Sequence, residues 1–155
     1  MNRIYDILYM VIIMLGISFE IGNKYDNYLY KILDDITSSF DNIMINGEVF
    51  DKNGNSLFKK NIYTKDEFES IIKKGDYYIV FLSLAIYDKT SNMSYISDLS
   101  CYKKCKPKLY LQVCDSIFVS LYSLNDNIVR KAKNNAIKNH FDKIEDATYE
   151  KMYFI

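Results

Sequence analysis

The chain has 155 residues, a length that fits one domain with room for a buried core. Hydrophobic residues make up 49% of it and aromatic ones 15%, with 15 Tyr and 9 Phe, which excludes intrinsic disorder over most of its length. Twenty basic side chains balance twenty acidic ones, so the chain lacks the positive surplus with which a nucleic-acid binder holds phosphates.

The N-terminus reads as a secretory signal over residues 1–18. Arg3 supplies the charged region, Ile7 to Ile17 is an apolar stretch, and Gly16 and Ser18 place small residues ahead of a cleavage point before Phe19. A helix of that stretch reaches about 16 Å, roughly half a hydrocarbon core, so cleavage is expected rather than anchoring. An exported chain folds in an oxidising compartment.

A strand is expected to begin at Phe19 to Ile21. Tyr28 to Ile36 then has helical spacing, although its first residues would also serve as a strand. Asn42 to Phe50 reads as a strand interrupted by Asn46 and Gly47, followed by a turn at Asp51 to Asn55 and a returning strand over Ser56 to Tyr63. Asp51, Asn53 and Asn55 alternate as the first calcium ligands of an EF-hand do. The sixth position, however, is Ser56 where glycine is required, and the twelfth is Ile62 where a glutamate is required. A hairpin turn explains the pattern without a metal, and no cofactor is expected.

The strongest local signals come next. Thr64 and Glu67 form a capping box, Phe68, Ile71 and Ile72 form an apolar stripe, and Gly75 is suited to the C-terminal cap. The acidic pair Asp66 and Glu67 is explained by capping and the helix dipole, without catalysis. This short helix delivers Gly75 to Tyr87, a run of aromatic and β-branched residues expected to be the central strand. Asp88 to Met93 reads as a loop holding the sequon at Asn92, a glycosylation candidate, and Ser94 to Leu99 as a short edge strand.

Cys101, Cys105 and Cys114 follow within a short span. No fourth ligand accompanies them, and His140 is far away, so a disulfide is expected rather than a metal site. Cys101 pairs with either Cys114 or Cys105, with little to choose between them. Lys103, Lys104, Lys106 and Lys108 read as a solvated loop. Leu109 to Val113 and Ile117 to Tyr122 form a hairpin through Cys114, Asp115 and Ser116. Residues 124–155 read as a polar tail, either a weak amphipathic helix or a flexible segment. No nucleophile, base and orienting group are spaced for catalysis, and no glycine-rich phosphate loop exists, so no enzymatic activity is expected.

The order of these pieces resembles a known family. Ser18-Phe-Glu-Ile21, then Tyr63-Thr-Lys-Asp-Glu67 leading to Gly75-Asp-Tyr77, then Tyr95-Ile-Ser97 ahead of Cys101, then the Leu109 to Tyr122 hairpin are similar to the luminal domain of subunit 10 of the endoplasmic reticulum membrane protein complex. The resemblance spans residues 18 to 123. It implies a mainly β fold, an antiparallel β-sandwich over residues 19–123 with one short helix before the central strand. It also implies a structural role in the lumen of the endoplasmic reticulum, with other subunits of a membrane protein complex as partners and the insertion of transmembrane segments as the task. No small-molecule substrate or nucleic acid enters that role. The alternative is a secreted β-sandwich interaction module, from a parasite or virus, that binds a host or surface protein.

Overall fold

The computed structural model describes residues 16–89 and 91–152. Seven strands build one antiparallel sheet: β1 (Gly16–Glu20), β2 (Asp41–Asp51), β3 (Ile62–Thr64), β4 (Tyr77–Asp88), β5 (Leu109–Cys114), β6 (Phe118–Tyr122) and β7 (Asp142–Asp146). Their order across the sheet is β3-β2-β4-β5-β6-β1-β7. Among the described residues four α-helices intervene: α1 (Tyr28–Leu33), α2 (Lys65–Lys73), α3 (Leu99–Cys105) and α4 (Asp126–Lys138). The expected mainly antiparallel β fold, with a short helix before a long strand, is what forms. Among the described residues all strands share one hydrogen-bonded sheet, and helices supply the layers that cover it.

The alternation of side chains along each strand sorts the sheet into two faces. One face carries Ile17, Phe19, Ile43, Ile45, Leu84, Ile86, Leu109, Leu111, Val113, Val119 and Leu121. It is covered by Leu29 and Ile32 of α1, Phe68 and Ile72 of α2, and Ile128, Val129, Ala132 and Ala136 of α4. Each fully buried Leu, Ile or Phe contributes about 1.5–3 kcal/mol, so this layer dominates the stability. The second face carries Met44, Ala85, Tyr87, Tyr110 and Tyr122, packed beneath Tyr102 of α3 and the C-terminal segment at Ala147 and Met152.

Local chemistry explains the best-read element. The Thr64 hydroxyl accepts the Glu67 N–H at 3.3 Å, and the Glu67 carboxylate accepts the Thr64 N–H at 2.9 Å, closing the capping box. Tyr77, the first residue of β4, then ties the helices to the sheet. Its buried hydroxyl accepts the N–H groups of Leu29 at 2.9 Å and Tyr30 at 3.4 Å, and donates to the Ile72 carbonyl at 3.4 Å. It thereby satisfies the N-terminus of α1, where Asn27 makes no side-chain cap. Asn135 of α4 serves the other end of α1, donating to the carbonyls of Ile32 at 3.0 Å and Asp34 at 2.9 Å.

Several expectations are corrected. Ser94 to Leu99 is not an edge strand: the chain there is irregular up to Asp98, whose carboxylate accepts the Cys101 N–H at 2.7 Å and starts α3. The returning strand after the turn is confined to Ile62–Thr64. Asp51 uses its carboxylate to accept the N–H groups of Asn53 at 2.9 Å and Asn55 at 3.0 Å, the hydrogen bonding of a turn. Gly75 is not the C-terminal cap of α2, a place taken by Lys74 in right-handed geometry. Of the two readings of residues 124–155, the amphipathic helix is the one that forms: α4 packs Ile128, Val129, Ala132 and Ala136 into the main core, and β7 beyond it pairs with β1.

The signal reading meets the sheet at one place. Gly16, Ile17 and Ser18 pair with Tyr122, Leu121 and Ser120 of β6, and the Gly16 carbonyl accepts the Ala147 N–H at 2.9 Å. Cleavage before Phe19 would remove those three residues from a strand of five. Residues 1–15, with most of the apolar stretch, lie outside the described residues. Among the described residues no helix is long and apolar enough to cross a membrane.

Candidate functional site

The second face of the sheet is covered over only part of its width. At one end the segment from Ser91 to Lys106 crosses it. Tyr102 inserts there, with ring centroids 6.0 Å from Tyr110, 6.4 Å from Tyr122 and 5.7 Å from Tyr149. These tilted and edge-on contacts add to the burial of the rings. The Tyr102 hydroxyl is buried with no hydrogen-bond partner among the described residues, so this side chain holds α3 through ring packing, beside Leu99 and Cys105 in the same cluster.

The strap leading into α3 closes over a small cavity of about 110 Å³ whose floor includes Met44, Asn46, Ser83 and Tyr110. The Tyr87 hydroxyl holds the strap by donating to the Ser94 carbonyl at 2.6 Å. Burial, with Cys105 and Cys101 nearby, pushes that hydroxyl to about 12, so it remains a proton donor at neutral pH.

The cysteines sort themselves by this geometry. Cys101 and Cys105 lie one turn apart on α3 with sulfurs 3.3 Å from each other. Cys114 ends β5 and lines the opposite end of the face. Of the two pairings left open by spacing, only Cys101 with Cys105 brings the sulfurs together, and all three residues are free thiols here. The missed signal was the helix: once Asp98 is seen as a cap, the four-residue spacing places both thiols on one side. Asn92 stands exposed on the loop after β4, and His140 is exposed in a left-handed turn after α4.

The other end of the face is uncovered. Ser18 and Glu20 of β1, Cys114 of β5, Phe118 and Ser120 of β6, and Lys143 and Glu145 of β7 line a depression of about 280 Å³. Phe118 is 50% exposed in it. Lys143 pairs with Glu20 at 3.1 Å across the β1 and β7 strands. In the lining of this depression two carboxylates, Glu20 and Glu145, stand with the single lysine, Lys143. Among the described residues no three His, Cys, Asp or Glu side chains are grouped to hold a metal ion.

Compared with known proteins, the chain matches over residues 14–153 the model of a family described as "Protein of unknown function (DUF2691)". It is 28% identical over 144 residues to the "Uncharacterized protein YncE" of Bacillus subtilis (strain 168), across 87% of this chain and 92% of that protein. No solved structure matches it.

Proposed function

The chain belongs to the DUF2691 family, and from that premise we propose that it is a non-enzymatic protein-interaction module that binds through the uncovered end of its sheet. The observation that carries this reading is Phe118, a large aromatic side chain half exposed in a depression at the uncovered end of the sheet's second face. Exposed apolar surface rimmed by polar groups is a common mark of protein contact. The excess of carboxylates on β7 favours a partner that seats an apolar side chain against Phe118 and turns basic residues toward the sheet edge. That edge strand, charged along its length, resists open-ended pairing with another strand, which leaves the face as the contact surface.

The alternative, a subunit of a membrane protein complex in the endoplasmic reticulum, draws on the order of short segments. The relative that aligns along nearly the whole chain comes from a bacterium, which has no such organelle, and it gives that reading no support. A photo-reactive residue placed at position 118, in the cell that makes the chain, tests the proposal against the same residue at Phe40, which is 67% exposed elsewhere. One protein should crosslink at 118 and not at 40, and its affinity should fall about tenfold or more with Phe118→Asp but not with Phe40→Asp. Equal adducts at both positions, or none at 118, would overturn it.

A further inference from the structure

We propose that Cys101 and Cys105 form a reversible thiol–disulfide site, oxidised by low-molecular-weight disulfides. The two residues occupy successive turns of α3, so their Cα atoms stand about 6 Å apart along the helix, inside the span a disulfide bridges. Their sulfurs are already 3.3 Å apart, and side-chain rotation alone has to close the remaining gap to a bond of about 2.05 Å. Both residues are half-buried rather than sealed in the core, so a small oxidant reaches them.

The hydrogen bonds give the pair a direction. The Cys101 sulfur donates to the Tyr95 carbonyl at 3.1 Å, which leaves Cys105 as the donor of the contact between the two thiols. Hydrogen bonding from the Ser97 backbone, joined by Cys105, holds the Cys101 thiol below its ordinary range, whereas burial pushes the Cys105 thiol up. Cys101 is therefore the attacking thiolate and Cys105 the resolving thiol.

The chemistry balances with one external disulfide. The Cys101 thiolate attacks one sulfur of the oxidant, forming a mixed disulfide and expelling the other half as a thiolate that takes up a proton. Cys105 then gives up its proton and attacks the Cys101 sulfur, expelling the second half as a thiol. The protein loses two protons and two electrons, which together are the two hydrogens gained by the oxidant as it is reduced to two thiols. Oxidation also removes the hydrogen that Cys101 donates to Tyr95, releasing one of the ties that hold the strap over its cavity.

Cys114 provides the internal control. It lies on β5, away from the pair, with its thiol pushed up by burial and by Asp115. The full reduced chain is incubated with oxidised glutathione, blocked with an alkylating agent, weighed intact and mapped after trypsin digestion. Trypsin cuts at Lys103 and Lys104, between the two cysteines, so their bond appears as a linked pair of peptides.

Wild type and Cys114→Ser should both lose two hydrogens without retaining glutathione, and the linked peptides should contain Cys101 and Cys105. Cys105→Ser should accumulate one glutathione on Cys101, persisting about tenfold longer than any adduct on wild type. Circular dichroism establishes that each variant is folded. Unreacted thiols in wild type, a bond to Cys114, or an equally persistent adduct on wild type would overturn the proposal.

Discussion

Tyr77 shows how much one side chain can do in this fold. Its hydroxyl meets two backbone donors of α1 and one carbonyl of α2, so removing the oxygen leaves buried backbone groups unpaired while the ring still packs. Tyr77→Phe is expected to cost about 1–3 kcal/mol, read as a lower urea midpoint at unchanged slope. Burial lifts its ionisation far above the ordinary tyrosine range, so the contribution holds at any pH where the protein is handled. The capping box at Thr64 and Glu67 was legible because both partners lie three residues apart and their chemistry is local. The role of Tyr77 was not, because its helix partners lie 48 and 47 residues earlier in the chain.

Elements follow the same division between local and distant causes. The Leu109 to Tyr122 hairpin was readable from alternation, and its turn forms with left-handed backbone at both Asp115 and Ser116. Strand β4 was readable from residue type, although β5 rather than β4 is the middle strand. Helix α3 was missed because its residues read as a cysteine cluster and a solvated lysine loop, and a seven-residue helix is too short to show a period. Strand β7 was missed because Asp142 to Asp146 offers a single apolar residue, Ile144, among four charged ones and owes its conformation to pairing with β1. Within β2, Gly47 lies where β4 approaches closely: a Cβ there would collide with the Phe81 carbonyl and stand 2.8 Å from the Leu82 Cα. Gly47→Ala is expected to destabilise by about 1–3 kcal/mol, with a lower midpoint of thermal unfolding. The irregular register beside it, between Glu48 and Val49, shows where the strand already departs from regular pairing.

At the scale of the whole molecule, the candidate site depends on strands that no local pattern connects. The uncovered depression needs β1 from one end of the chain, β5 and β6 from its middle and β7 from the other end. A chain ended after Ser123 loses α4 and β7, and with them the cover over Ile17 and Phe19 and one of the two neighbours of β1. It is expected to show no cooperative thermal transition, by circular dichroism, under conditions where the full chain shows one. A transition equal to that of the full chain would show that the rest of the sheet folds without residues 124–155.

The position of β1 also orders events in time. Its partners in β6 lie about a hundred residues further along the chain, and pairing over such a distance forms slowly. During synthesis the first strand waits, unpaired on both sides, until residues 118–146 have left the ribosome. The β2–β4–β5 half of the sheet has its strands available earlier, so the uncovered end is the last part of the molecule to come into being.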